Sequence, residues 1–318
     1  MNKLKAYLKN KYNQEDRKAF VFCYVMIGIP FLFFLAFWVY VNADSILTAF
    51  RDETGAFSMK NFEEVWIGFV DKDGFGWNLG EILWRTVKLW FFVNFLCIVP
   101  SLISTYVLYK EIPGHYIFRI IFMIPTVLAG IVWTMIMKYM VMLNGPVLEV
   151  LGWFGFEPSF ELSVTGTLLA TNETAYVTIL LLNMIPHIIG FNMIISGAYA
   201  RIPGDLFEVG KLDGIGFMRE FFTVSLPLIW PTLIITLISN FSTVFTLEGG
   251  VFLYTRGHFN TATMGFYIYE LTFRLADGGG TGYYGYPAAI GFVVTCMTIP
   301  IVLFGKLFLE RLVEQVEY

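Results

Sequence analysis

The sequence predicts an all-α integral membrane protein with six spanning helices and both ends on the cytoplasmic side. Three observations lead there. First, 57% of the 318 residues are apolar and only 14% are charged, where an ordinary soluble domain carries about 25% charge. Second, the charges leave six long gaps. The stretches 19–43, 89–109, 120–137, 174–200, 221–247 and 278–305 contain no Asp, Glu, Lys or Arg. Each reaches the roughly 17–25 residues needed to cross a bilayer core. Third, the basic residues segregate. With the first residues in the cytoplasm, the inner segments 1–18, 110–119, 201–220 and 306–318 hold 13 Lys and Arg in 61 residues. The outer segments 44–88, 138–173 and 248–277 hold 8 in 111. Cytoplasmic loops of membrane proteins carry such an excess. The same composition excludes a disordered chain. With a net charge of −4, there is no basic footprint for nucleic acid.

Each element follows from local pattern. Residues 1–18 form a basic cytoplasmic arm (Lys3, Lys5, Lys9, Lys11, Arg17, Lys18) suited to anionic headgroups. The run 19–43 is about twice as long as the 7–15-residue core of a cleaved signal peptide, so it is expected to remain as the first span. Segment 44–88 mixes charge with Phe57, Phe62, Trp66, Phe69, Phe75 and Trp77, which predicts short helices at the outer membrane surface. Turns are expected at Thr54-Gly55 and Asp71-Lys72-Asp73-Gly74. Pro113-Gly114 turns the short inner link 110–119. Asn144-Gly145-Pro146 and Gly152-Trp153-Phe154-Gly155 flank a short apolar helix. The apolar runs Val251–Tyr254 and Met264–Tyr269 suit a segment that re-enters the membrane against protein. Cys23, Cys97 and Cys296 lie within spans, without disulfide or metal-ligand spacing. The glycine cluster Gly278–Gly282 lacks the Lys-Ser/Thr of a phosphate loop. No catalytic, metal or cofactor site is expected in this chain.

One inner segment carries more information than the rest. It begins Arg201-Ile202-Pro203-Gly204-Asp205 and ends Ser225-Leu226-Pro227. Pro203 suits the first turn of a helix, and Asp205 and Glu208 sit near its positive end. Leu206, Val209 and Leu212 share one face, with Phe207 and Lys211 on another. Asp213-Gly214 is a turn signal, with the glycine free to take a positive φ. A second helix is expected from about Phe217, running straight into the fifth span. The cytoplasmic side thus presents a short exposed helix, a turn and a stiff connection into the membrane. Such a part can pass a push from a soluble partner to the spans.

This segment resembles the "EAA" loop of ABC-importer permeases, with Glu208-Val209-Gly210, Asp213-Gly214 and Leu226-Pro227 at the motif positions and Ile202-Pro203 ahead of them, as in carbohydrate importers. Val209 and Gly210 replace the two alanines, and Ile215 follows Asp213-Gly214 where alanine is usual. Further matches are Pro30, Asn42–Ser45, Ala49-Phe50, Arg85-Thr86, Phe118-Arg119, Pro125, Gly145–Gly152, Tyr267-Ile268-Tyr269 and Gly285–Ala289. Thr255-Arg256-Gly257-His258-Phe259 departs from the usual Thr-x-Gly-Gly-Pro. The resemblance is to the maltose-permease type of carbohydrate-uptake subunit. It implies a type I ABC-importer permease fold, with an arm at 1–18, a permease domain at 19–318 and a coupling loop at 201–220. It implies ATPase contacts at Glu208, Gly210, Asp213 and Gly214. The implied partners are a second permease, two ATPase subunits holding ATP and Mg, an extracytoplasmic solute-binding protein, a sugar, and the lipid of a bacterial cytoplasmic membrane.

Polar residues within spans usually face the bundle interior or a pathway. The fourth span offers Tyr176, Asn183, His187 and Asn192, and the fifth offers Ser239, Asn240, Ser242 and Thr243. Family carry-over places substrate contacts on the spans flanking the coupling loop, so Asn183, Asn192, Asn240, Phe241 and Thr243 are the pathway candidates. Interhelical hydrogen bonds that merely hold the bundle are the competing explanation. The spans carry no charge, which favours a neutral solute. Alternatives are an importer for a non-sugar solute, such as a polyamine or glycerol phosphate, a membrane-embedded enzyme, or a secondary transporter. An enzyme would need paired acids or a nucleophile beside His187, and a secondary transporter would typically show repeats.

Overall fold

The computed structural model describes residues 2–72, 76–155, 164, 166–212, 214–276 and 284–311, with the backbone alone for 2–17, 211 and 274–276. Nearly all described secondary structure is helical; the exceptions are the isolated bridges Arg51–Phe57 and Met142–Thr167. Five helices are long and apolar enough to cross a membrane: Lys18–Ala49, Leu79–Tyr109, Ala175–Tyr199, Phe217–Phe241 and Gly285–Arg311. The third expected span is two helices, His115–Val127 and Gly130–Met140, bent by 108°. Leu128 and Ala129 between them are extended, with ψ of 138° and 137°. Gly130, a poor helix former, starts the second piece. A count of six holds when this bent pair is taken as one broken span.

Contacts group the chain into two compact units, one of Met1–Glu64 with Tyr283–Phe292, the other of Val65–Gly282 with Val293–Tyr318. In the first unit, a single helical path runs from Asn2 to Ala49 with a π turn at Phe34–Val39. The basic arm and the first span are therefore one helix. Apolar side chains from Phe20 to Val41 are exposed on every side, as expected of a helix whose solvent is lipid. Its C-terminal end is tied down. Buried Asn61 donates to the carbonyls of Ala49 (2.9 Å) and Arg51 (2.8 Å), and the Phe50 ring meets Phe57, Phe62 and Phe292.

The second unit is built around Ala175–Tyr199. This helix packs chiefly against Ile98–Tyr109, and also against Leu226–Phe241 and His115–Val127. A continuous core joins Cys97, Ile98 and Tyr106 to Phe191, Ile195 and Tyr199, and on to Phe221, Ile229, Leu233 and Leu309. Two π turns interrupt these spans, Phe92–Leu96 and Phe221–Ser225. Each lies just before a proline, Pro100 or Pro227. Proline lacks the N–H that would serve the carbonyl four residues earlier and clashes with it. Widening the preceding turn accommodates both problems without breaking the span. The Leu226-Pro227 pair thus shapes the entry of the fifth span.

The expected outer helices form at Lys60–Val70 and Pro146–Trp153, the latter with proline in its first turn. The span 89–109 begins ten residues earlier than its charge-free stretch, at Leu79, because Glu81, Arg85 and Lys88 ride on the helix. Arg85 pairs with Glu81 at 2.8 Å, and Lys88 lies over the rings of Trp84 and Tyr176. Asp73-Gly74 of the expected turn and the Gly278–Gly282 cluster fall outside the described residues.

Candidate coupling site and pathway residues

The inner segment forms the short helix and turn that its sequence suggests, and the structure adds which face is buried. Asp205–Leu212 is a helix. Its N-terminal turn is closed by Leu206 N–H to Pro203 O (3.3 Å) and Phe207 N–H to Gly204 O (3.0 Å). Leu206, Val209 and Leu212 do share a face, and that face points outward, 40%, 55% and 87% exposed. The anchor is Phe207, only 5% exposed, which joins the core of the spans. Its ring lies 5.1 Å from that of Tyr109, and the Tyr109 ring stacks at 4.8 Å on Tyr199. Glu208 is exposed, and Gly210 is buried on the anchored side. A Cβ at 210 would meet only Ile215 Cδ1 at 4.0 Å, so the motif's usual alanine fits there. Gly214 takes φ of +69°, the left-handed conformation that closes a helix C-terminus. Asp213 lies outside the described residues.

Both ends of the segment are fastened to spans. At its start, Arg201 donates to Gly197 O (3.3 Å) and to Thr232 Oγ1 (3.1 Å). At its end, Glu220 is buried and paired with Lys110. The Tyr106 hydroxyl donates to Phe217 O at 3.2 Å, and its ring packs on Phe217 and Phe221. The Lys110–Glu220 pair escaped the sequence reading. The available signal was an acid at a membrane entry with no cation four residues away on its own helix.

The five pathway candidates do not form one set. Asn192 is 3% exposed. It accepts from Thr105 Oγ1 (2.7 Å) and donates to Ser104 Oγ (2.8 Å) on the second span. Ser101 adds a bond to Ile188 O at 3.0 Å. Asn192 is thus engaged in an interhelical network, where each bond contributes roughly 0.6–2 kcal/mol. The other four lie toward the outer ends of their spans. Asn240 O accepts from Trp90 Nε1 (2.7 Å) and Thr243 Oγ1 (2.8 Å), while its buried side-chain Nδ2 has no hydrogen-bond partner among the described residues. Phe241 packs with Trp90 and Phe95. Asn183 donates to Ile179 O and to Gly249 O (2.9 Å). Thr243 is exposed. His187 Nδ1 lies 2.8 Å from Asn183 O, so it occupies a carbonyl in the turn beside Pro186.

The outer segment after the fifth span is tightly folded. Glu248 accepts from Gly250 N–H (2.8 Å) and Phe252 N–H, Thr255 and Thr261 hydroxyls pair at 2.5 Å, and buried Thr86 accepts from Met264 N–H at 2.8 Å. Lys138 donates to Leu253 O at 2.9 Å. Burial pushes the Tyr254 phenol up to about 12, aided by the Glu248 carboxylate and opposed by a hydrogen bond with Thr134.

No family model matches the chain. In sequence it is similar to the maltose/maltodextrin permease MalF of Vibrio vulnificus, 26% identical over 243 residues, covering 74% of this chain and 44% of that one. It is also similar to the maltodextrin permease MdxF of Bacillus subtilis, 28% identical over 207 residues, covering 60% of this chain and 45% of the relative. The chain spans less than half the length of these relatives. In fold it resembles a subunit of a bacterial ABC transporter that imports the acidic polysaccharide alginate, with a TM-score of 0.73 and 18% identity across 94% of this chain and 99% of that one. The resemblance read from the inner loop therefore extends over most of the chain. This is a multi-pass membrane protein similar to carbohydrate ABC-importer permeases, whose named relatives are transport subunits rather than enzymes.

Proposed function

We propose that this chain is a permease subunit of an ATP-driven sugar importer in a bacterial cytoplasmic membrane. It crosses six times with both ends inside and forms half of the translocation pathway. A second permease forms the other half. Two ATPases, which carry ATP and Mg, dock on the 201–220 loops, and a solute-binding protein delivers sugar from outside; the solved alginate transporter has been captured with such a periplasmic protein. The observation that carries the reading is the short helix Asp205–Leu212. It turns Leu206, Val209 and Leu212 outward while Phe207 roots it in the span core. An exposed apolar stripe on a rigid root is suited to a protein partner and to a shift between two packed arrangements of the spans.

The test is co-purification and uptake after Glu208→Lys or Gly214→Val. Gly214 holds a positive φ, so valine there distorts the turn. Loss of ATP-driven uptake from a panel of mono- and oligosaccharides is expected, with weakened retention of the ATPases. Unimpaired uptake with the ATPases still bound overturns the coupling assignment. An importer that hydrolyses ATP normally yet responds to no sugar overturns the carbohydrate part alone.

A further inference from the structure

Lys110 caps the helix Ile98–Tyr109, and Glu220 precedes the π turn that opens the fifth span. They are far apart in sequence, yet their side chains form an ion pair with only 16% and 4% of each exposed. The Lys110 ammonium also sits 5.0 Å from the centroid of the Phe207 ring and 5.7 Å from that of Tyr106. One cation therefore touches three elements: its own span, the helix Asp205–Leu212 through Phe207, and the entry of the fifth span through Glu220. Apolar packing alone is tolerant of small slides. A nearly dry ion pair is not, because separating it leaves two uncompensated charges. Phe207 and Gly210 lie on the side of the short helix opposite its exposed stripe, so a load on that stripe reaches the spans past this cation.

We infer that Lys110, through Glu220 and Phe207, is the positioning residue that fixes the short helix on the second and fifth spans. Its motion then reaches both spans together instead of being absorbed by the loop. This rests on the reading of 201–220 as the ATPase-docking element.

The experiment uses the complete transporter, with its second permease, ATPases and solute-binding protein, reconstituted in lipid vesicles. Wild type is compared with Lys110→Arg and with the double variant Lys110→Met/Glu220→Leu. The double variant removes both charges at similar volume, a change that buried pairs often tolerate in stability. ATPases are expected to stay bound in all three. Stimulation of ATP hydrolysis by the binding protein is expected to fall about tenfold in the double variant and to persist in Lys110→Arg. Wild-type stimulation in the double variant overturns the positioning role. So does a double variant that fails to accumulate or loses its ATPases, since the pair would then be holding the fold itself. Absence of binding-protein stimulation in the unaltered transporter is a separate result. It overturns the importer reading, and the positioning role with it.

Discussion

The two ends of the fifth span are held in opposite ways. The outer turn is locked from many sides. Gly257 has φ of +75°, and a Cβ there would lie 2.4 Å from Phe266 Cε1 and 3.0 Å from Trp77 Cζ2. Arg256, Phe259 and Asn260 also take positive φ, at a cost of order 1–3 kcal/mol each that only an over-determined surrounding sustains. The inner turn leaves its apolar face unburied and is held at a few points: Arg201, Phe207, Tyr106 against Phe217, and the Lys110–Glu220 pair. Under the proposed coupling role, rigidity at the outer end suits a fixed rim, and sparse anchoring at the inner end suits a lever. The same chain builds both because glycine permits crowding where no motion is wanted, whereas one aromatic root and one ion pair give a pivot.

Substitutions distinguish the two ends. The largest effect is expected at Gly257→Ala, where left-handed strain and overpacking together cost about 4 kcal/mol. A marked fall in detergent melting temperature, followed by tryptophan fluorescence, checks this; a melting temperature within experimental scatter of wild type would show the outer turn to be loose. Next is Phe207→Ala, which empties the pivot at about 3 kcal/mol. Limited proteolysis near residue 205 is expected to accelerate while the outer turn stays protected. Uniform loosening of both ends would erase the distinction. The smallest is Leu212→Ala, at 87% exposed expected to change stability by less than about 0.5 kcal/mol. If the stripe docks ATPases as proposed, the effect of this substitution appears only in their retention on an affinity column.

The spans were legible because missing charge is a local signal. Where charge and helix overlap, the signal failed: Leu79–Lys88 reads as part of an outer segment with short surface helices, yet it is the start of the second span, where Arg85 and Lys88 are accommodated by Glu81, Trp84 and Tyr176. The 108° bend was hidden because Leu128-Ala129-Gly130 is as apolar as its neighbours. In the inner loop, periodicity grouped Leu206, Val209 and Leu212 correctly. It could not say that Phe207 faces the protein, because a partner-facing stripe and a core-facing stripe have the same period. Lys110 and Glu220 looked like ordinary flanking charges, and only the tertiary fold brings them together. Asn192 and Asn240 read alike in sequence. One has both side-chain polar atoms engaged, while the other keeps a buried amide nitrogen unpaired among the described residues.

The π turn at Phe221–Ser225 bears on how this chain tolerates length changes. A turn that accommodates one extra residue holds a small reserve of chain. Deleting a single residue within it would let the turn tighten to α while the span continued. Because the widened turn absorbs its extra residue locally, both flanking segments would keep their facing, and Glu220 would stay opposite Lys110. The same deletion in the regular helix Leu226–Phe241 has no such reserve and would rotate one side against the other by about 100°. Alignments that place a one-residue gap between residues 220 and 226 would therefore mark a neutral shortening.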